Sequence, residues 1–330
     1  MGGPYAARGV GSRQVGRGSV GDLFSAIKAN VAKVVVGRDE TVSMMVVAFL
    51  CGGHVLLEDV PGVGKTVMSR SLAASVRCSF KRIQFTPDIL PSDVTGIYFY
   101  NQKESEFVFR EGPIFANVVL ADEINRATPR AQSSLLECMA EGQVTIDGVS
   151  HALGRPFFVV ATQNPIELQG TYPLPEAQMD RFFMRLRSGY PDREDECRIL
   201  SRFLYGDPME SVGPVCDADD LAHAAEAISR TRVNEAVMGY VTAISEATRS
   251  HAKVVLGVSP RGSLFAAKAA QACACVGGRT FVTPDDVKRV AVPVLAHRLI
   301  LRGSHHDAAA QAEAVIREIL DGVPAPTEEF

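Results

Sequence analysis

The sequence predicts an α/β fold, in which helices flank a parallel sheet, followed by a small all-helical lid domain. Short apolar runs alternate with helical stretches in the first part of the chain, and such runs suit parallel strands buried on both faces. These runs are residues 55–57, 81–85, 118–120 and 157–161. From about Asp217 onward the pattern becomes Ala-rich with helical periodicity, which favours helices packed without a sheet.

Three segments are predicted along the chain. Residues 1–20 are rich in Gly and Arg and contain no apolar core segment, so we expect a disordered basic tail rather than a signal peptide. The α/β domain is assigned to residues 21–191 and the helical domain to residues 192–330, because the apolar strand runs mostly stop near this boundary.

Composition excludes several classes of protein. The chain has 330 residues, of which 46% are hydrophobic and 22% charged, as is usual for a globular protein of two domains. The net charge of −4 creates no global basic field, which argues against a nucleic-acid partner. The most apolar window, residues 42–57, is interrupted by polar residues and glycines, so we predict a buried helix, a turn and a strand there and no transmembrane segment.

The seven cysteines are scattered, without paired metal-ligand spacing. This scattered arrangement favours reduced thiols and therefore a cytoplasmic location for the protein. Cys273 and Cys275 lie in an Ala-rich helical stretch, where we favour core packing over a metal site.

A glycine-rich turn follows the first predicted strand and ends in Lys65 and Thr66, where a helix over residues 65–76 is expected. Glycines let backbone N–H groups fold around phosphates, lysine adds a positive charge, and the threonine hydroxyl can ligate Mg²⁺. The general pattern has a glycine where this chain has Asp59. The turn predicts binding of ATP or GTP with magnesium, the alternative being a chance glycine turn before a helix. The predicted contacts are Pro61, Gly62, Val63, Gly64, Lys65 and Thr66.

Polar residues follow two of the other predicted strands, at the edge where open α/β sheets bind ligands. Asp122 and Glu123 end one strand, and we assign Asp122 to the metal and Glu123 to the water that attacks the γ-phosphate. The alternative is a solvated acidic pair. Asn164 follows the next strand and could bind the same water or the γ-phosphate, although Asn before Pro165 is also an ordinary start of a turn.

Six motifs, in their order and spacing, closely resemble those of MoxR-type AAA+ ATPases, including the Asp59 departure. The resemblance extends from about Val36 to Arg302. The motifs are Val36 to Arg38, Glu58 to Thr66, Ala121 to Ala127, Ala161 to Pro165, Leu174 to Phe182 and Val258 to Gly262.

The resemblance implies roles for individual residues. Asn164 would be the first sensor, and Arg181 the arginine finger that enters the ATP site of a neighbouring subunit. Arg261, at the start of a lid helix, would be the second sensor that touches the γ-phosphate. Val36 and Gly37 would line the adenine pocket. Without the family pattern, each arginine is better interpreted as a solvated surface charge.

Two segments resemble insertions of this family. Residues 96–112 alternate aromatic and polar residues and resemble the insertion in the second helix. Residues 141–149 predict a hairpin with an Asp147-Gly148 turn. Both are expected to project toward the pore or face of a ring and to contact clients; the alternative is that they only cover the sheet.

The resemblance implies an ATP-hydrolysing homo-oligomeric ring, expected to be a hexamer, that remodels or activates a protein client. Such proteins resemble chaperones that mature metal or cofactor enzymes, often with partners that carry a von Willebrand factor A domain. One alternative is a motor subunit of magnesium-chelatase type. Another is a nucleotide-gated scaffold with little hydrolysis, against which Asp122 and Glu123 argue. A DNA motor is least favoured by the acidic balance.

Overall fold

The computed structural model describes residues 18–59, 62–164, 170–303 and 308–327. Its helices are α1 (Val20–Ala32), α2 (Asp39–Leu50), α3 (Lys65–Ser75), α4 (Pro91–Thr95), α5 (Pro129–Glu141), α6 (Glu176–Met179), α7 (Arg193–Phe203), α8 (Ala218–Ser229), α9 (Glu235–Ser250), α10 (Pro260–Val276), α11 (Pro284–Leu295) and α12 (Ala308–Gly322). Its strands are β1 (Val55–Glu58), β2 (Phe80–Gln84), β3 (Gly96–Asn101), β4 (Glu106–Glu111), β5 (Val118–Asp122), β6 (Gln143–Ile146), β7 (Val149–Ala152), β8 (Phe158–Gln163), β9 (Met184–Leu186), β10 (Val254–Leu256) and β11 (Ile300–Leu301).

A five-stranded parallel sheet in the order β2-β5-β8-β1-β9 forms the centre of the α/β part, which confirms the predicted fold class. Of these five strands, β9 alone was not predicted; β10 and β11, which pair with each other in the helical part, were not predicted either. The prediction that all four apolar runs are buried on both faces is wrong for β2. Because β2 lies at the sheet edge, its Lys81, Arg82 and Gln84 side chains reach solvent.

Alternate residues of the inner strands face opposite sides of the sheet. Val55 and Leu57 belong to the core that α2 and α3 cover, whereas Leu56 belongs to the core that α5 covers. Both faces are therefore buried, and the ends of the strands are where polar side chains can meet at the surface.

The helical part shares a core with the α/β part. Ala266 and Val290 of the lid lie in the same buried cluster as Ile27 of α1 and Val46 of α2. A Cβ added at Gly21 would lie 2.7 Å from the carbonyl oxygen of Val276, so α1 and α10 pack closely. The predicted boundary at 191 falls in the loop between β9 and α7.

The first described helix begins at Val20, where the tail was expected to end. Ser19 caps it, because its hydroxyl accepts a hydrogen bond from Asp22 N at 3.2 Å and Asp22 Oδ2 accepts one from Ser19 N at 2.9 Å. Residues 1–17 of the predicted tail lie outside the described residues. None of the helices in the described ranges combines the length and the apolar character that crossing a bilayer requires.

The predicted hairpin of residues 141–149 is present as β6–β7, and the segment 96–112 forms a second hairpin, β3–β4. Asp147 and Gly148 adopt positive φ angles of 50° and 81° in the turn between β6 and β7, as this dipeptide favours. The hairpins contact each other where the His151 ring stacks on Phe109, with 4.2 Å between the ring centroids. Their direction relative to a ring stays a prediction.

Candidate active site

The carboxyl ends of the strands bring eight of the predicted site residues to one cavity of about 270 Å³. Lys65 and Thr66 begin α3, Asp122 ends β5, Glu123 follows it, and Asn164 follows β8. The described residues that line this cavity are Gly62, Val63, Gly64, Lys65, Thr66, Arg82, Asp122, Glu123 and Asn164.

The glycine turn has the backbone shape that phosphate binding requires. Gly62 and Gly64 have φ angles of 82° and 85°, in the left-handed region that favours glycine. The turn leads into the amino end of α3, whose unpaired N–H groups and dipole attract anions. Pro61, a predicted contact, lies outside the described residues.

Lys65 lies beside the carboxylates of this site. Its Nζ donates a hydrogen bond to the carbonyl oxygen of Asp59 at 2.6 Å. Burial lowers the pKa of Lys65, while the negative charges of Asp59, Asp122 and Glu123 oppose this shift. The lysine therefore stands close to the place where the anionic oxygens of a nucleotide would lie.

Both carboxylate oxygens of Asp122 accept hydrogen bonds from other side chains. Oδ1 accepts a hydrogen bond from Thr162 Oγ1 at 2.6 Å, and Oδ2 accepts one from the Arg82 guanidinium at 2.6 Å. Sequence reasoning missed both partners. Arg82 could have been found from the polar residues at positions 82 and 84, since alternate residues lie on one face of a strand.

Glu123 follows β5 with φ 57° and ψ 48°, a left-handed conformation that is uncommon outside glycine and that is enriched at functional sites. Its backbone N–H donates to Thr162 Oγ1 at 2.9 Å. Its Oε2 accepts a hydrogen bond from Gln84 Nε2 at 2.9 Å and lies 3.4 Å from the Arg126 guanidinium. The carboxylate is therefore positioned from two sides.

The donors in this cavity fit a magnesium ion. Mg²⁺ prefers oxygen ligands, and it is usually held by one or two protein oxygens together with water and substrate phosphates. Thr66 would supply a hydroxyl and Asp122 a carboxylate. Within the described ranges, no group of three or more His, Cys, Asp or Glu side chains could hold a metal on its own, so phosphate and water oxygens would complete the shell.

A second cavity, of about 440 Å³, adjoins the first and shares Gly62, Val63 and Gly64 with it. Its walls are mostly apolar, which suits the base of a nucleotide. They include Val34, Val35, Val36, Val67, Tyr190, Pro191, Ile199 and Phe203. Val36, predicted to line the adenine pocket, is one of these residues. Gly37 instead packs against α7, because a Cβ there would lie 1.8 Å from Asp195 Oδ2.

Arg181 and Arg261 do not line the Lys65 cavity in the described part of the chain. They line a third cavity of about 200 Å³, together with Lys268 and His54. His54 precedes β1, so this cavity lies at the amino ends of the strands, the opposite edge from Lys65. The structure therefore brings the two arginines together but places them away from the phosphate loop of their own chain.

An ion pair between a buried arginine and a half-buried aspartate holds both arginine-bearing segments. Asp180, next to Arg181, accepts hydrogen bonds from Arg298 Nε at 2.8 Å and from the hydroxyl of Ser259 at 3.0 Å. Ser259 caps the helix that carries Arg261. Burial lowers the pKa of Arg298 to about 10, while the negative charge of Asp180 opposes the shift. Sequence reasoning missed Arg298, since its partner is 118 residues away.

This protein is similar to known proteins over most of its length. A family model described as "ATPase family associated with various cellular activities (AAA)" matches residues 54–184, and an AAA lid domain model matches residues 246–319. The chain is 49% identical over 299 residues to the uncharacterized protein YeaC of Bacillus subtilis, which covers 91% of this chain and 93% of YeaC. It is 42% identical over 308 residues to chaperone MoxR1 of Mycobacterium tuberculosis, which covers 90% of this chain and 80% of MoxR1.

A solved structure shares the fold. The crystal structure of a protein from Cytophaga hutchinsonii, described as a candidate ATPase, matches with a TM-score of 0.85 and 37% identity, covering 93% of this chain and 96% of that one. The lid match agrees with the helical part that follows the sheet. With its phosphate loop, paired carboxylates and lid, and with these relatives, the chain belongs to the MoxR-type AAA+ ATPases.

Proposed function

We propose that this protein hydrolyses ATP with Mg²⁺ as a homo-oligomeric ring and uses turnover to remodel or activate a protein client. One observation carries the proposal: Lys65, Thr66, Asp122, Glu123 and Asn164 line a single cavity. This cavity shares Gly62, Val63 and Gly64 with an apolar one of suitable size for a purine base.

Each side chain has a distinct task in the proposed reaction. Thr66 and Asp122 would hold the metal ion, which would supply positive charge to offset that of the phosphates. Lys65 would bind the phosphate oxygens. Glu123 would orient the attacking water and accept its proton, while Asn164 would donate a hydrogen bond to that water or to the γ-phosphate.

The positions of the two arginines support the proposed ring. Arg181 and Arg261 are at the opposite sheet edge from Lys65, so one chain does not bring all of these residues to one nucleotide. Head-to-tail repetition of a single interface would place both arginines at the phosphates of the neighbouring chain and close into a ring. An arginine supplied in this way can raise the rate by a factor on the order of 10³ to 10⁵.

The client, the ring size and the partner of the proposed function are supported by different observations. Similarity to a protein named as a chaperone supports a protein client. A hexamer and a partner with a von Willebrand factor A domain are proposed from the family pattern. Exposed apolar side chains on the β3–β4 hairpin, such as Phe99 and Phe107, support a client contact there.

All seven cysteines are free thiols, which supports a reducing compartment such as the cytoplasm.

The test is Mg²⁺-dependent ATP turnover by the full chain and by Glu123→Gln. We expect the variant to lose turnover by at least about 100-fold while its Kd for ATP stays within about threefold, because the amide cannot accept the proton. Glu246→Gln, an exposed change on α9, is the matched control and should behave as wild type. Unchanged turnover in Glu123→Gln would contradict the role of Glu123, and a wild-type chain that does not bind ATP would contradict the function itself.

A further inference from the structure

We propose that Asp59 is a positioning residue that joins the phosphate loop to the wall of the base cavity. Through this link the protein would prefer a complete nucleoside triphosphate to a bare phosphate chain. The inference rests on the proposed binding of ATP.

Asp59 occupies the position where the general phosphate-loop pattern has glycine, and only 4% of it is exposed. Its Oδ1 accepts hydrogen bonds from the backbone N–H groups of Ser188 and Gly189, at 2.8 and 2.9 Å. A glycine could make neither bond. Asp59 therefore supplies a contact that the general pattern lacks.

The residues that Asp59 binds lead directly into the base cavity. Tyr190 and Pro191, which follow Ser188 and Gly189, line that cavity. Hydrogen bonds to an ionised carboxylate are shorter and stronger than those between neutral groups. Two of them from consecutive residues fix both the distance and the orientation of this turn relative to the end of β1.

The same residue also reaches the phosphate side. The carbonyl oxygen of Asp59 accepts the hydrogen bond from Lys65 Nζ at 2.6 Å. Arg38, a further residue in the wall of the base cavity, donates a hydrogen bond to the carbonyl oxygen of Ser188. Asp59 thus lies between the lysine that would bind phosphate and the turn that would contact the base.

The two carboxylate oxygens are not equivalent. Oδ1 takes both backbone hydrogen bonds, whereas Oδ2 is buried with no hydrogen-bond partner in the described part of the chain. Asparagine keeps an oxygen at the Oδ1 position, so Asp59→Asn can preserve the link. Alanine and glycine remove it. These three variants therefore separate hydrogen bonding from negative charge.

The experiment measures the Kd of ATP and of inorganic tripolyphosphate, both with Mg²⁺, for the full chain by calorimetry. We expect wild type to prefer ATP. In Asp59→Ala and Asp59→Gly, the ratio of the tripolyphosphate Kd to the ATP Kd should fall at least about tenfold. We expect this because ATP binds less tightly to these variants, while the tripolyphosphate Kd changes by less than about threefold. Asp59→Asn should retain the preference within about threefold.

The outcomes separate this inference from the proposed function. If wild type binds neither ligand, the proposed function fails. If wild type prefers ATP and Asp59→Ala or Asp59→Gly keeps that preference, Asp59 has no positioning role. Three further results would also overturn the inference, because each would show that Asp59 acts through its negative charge or only supports the fold. They are equal losses of affinity for both ligands, the same defect in Asp59→Asn, and a failure of both Asp59→Ala and Asp59→Gly to fold.

Discussion

Asp180 and Arg298 form an ion pair in which Asp180 Oδ1 lies 2.8 Å from Arg298 Nε. The Arg298 side chain is 1% exposed and that of Asp180 is 24% exposed. The pair joins the segment that precedes β9 to the lid. Because Asp180 also binds the cap of α10, the positions of Arg181 and Arg261 depend on the same carboxylate.

Removal of Asp180 should destabilise the protein strongly. Asp180→Ala leaves the Arg298 guanidinium buried without a counter-charge, and breaking a buried pair in this way typically costs about 3–5 kcal/mol. Reversible denaturant titration would measure the loss. Glu176→Ala, an exposed change in the helix just before Asp180, should cost less than about 0.5 kcal/mol. Equal stabilities of the two variants would show that the pair does not hold the lid.

Stability should fall as the pH drops below 6.5, in part because of His54. Its Nδ1 accepts a hydrogen bond from Val159 N at 3.0 Å, and its Nε2 lies 3.0 Å from the carbonyl oxygen of Met139, so the ring is neutral. Burial lowers its pKa to about 4 from the ordinary value of 6.5. Between these two pH values the unfolded chain therefore binds a proton at His54 that the folded chain does not bind. The free energy of unfolding consequently decreases as the pH falls from 6.5 towards 4.

The expected contribution of His54 is about 1.4 kcal/mol per pH unit within that window. The measurement compares the unfolding free energies of wild type and His54→Gln between pH 6.5 and 4.5. Glutamine does not titrate, so the variant should show the smaller slope by about one proton. Identical slopes would mean that His54 takes up its proton equally readily in the folded chain.

Thr162 should matter for turnover although it would not contact the nucleotide. Its hydroxyl donates to Asp122 and accepts from the backbone of Glu123, so it positions the carboxylates assigned to the metal and to the attacking water. Thr162→Val keeps the shape and removes these bonds. We expect turnover to fall about 10- to 100-fold with little change in ATP affinity. Thr242→Val, on the exposed side of α9, is the control; a Thr162→Val enzyme as active as this control would refute the positioning role.

A methyl group at Gly37 should weaken nucleotide binding. Gly37 has φ 69°, and a Cβ there would lie 1.8 Å from Asp195 Oδ2, so alanine would push the Asp195 side chain against α7, the helix that carries Ile199 and Phe203 of the base cavity. Gly52 has a similar φ of 65° but nothing within 4 Å of an added Cβ. Gly37→Ala should raise the Kd for ATP at least about tenfold, while Gly52→Ala should bear only backbone strain. Equal ATP affinities would exclude this role of Gly37.

The parts of the site that follow local sequence were predictable. Glycines before Lys65 and carboxylates after an apolar strand have fixed places in a parallel sheet, so their meeting at one edge follows from topology. Thr162 and Arg82 escaped prediction because their role depends on which strands are neighbours. The three-residue β9 was too short to give a periodic signal. The place of Arg261 depends on how the lid packs on the sheet, which helical periodicity does not specify.

The claim that neighbouring chains jointly build each site is tested most directly by mixing two inactive variants. Lys65→Ala removes the phosphate-binding lysine and Arg181→Ala removes the arginine from the opposite edge. In an equal mixture, about a quarter of the head-to-tail interfaces would combine an intact Lys65 with an intact Arg181 from the neighbour. We predict that the mixed sample regains ATP turnover toward a quarter of the wild-type rate, with each variant alone nearly inactive. A mixture no more active than its separate components, under conditions where the chains exchange between rings, would contradict the shared site.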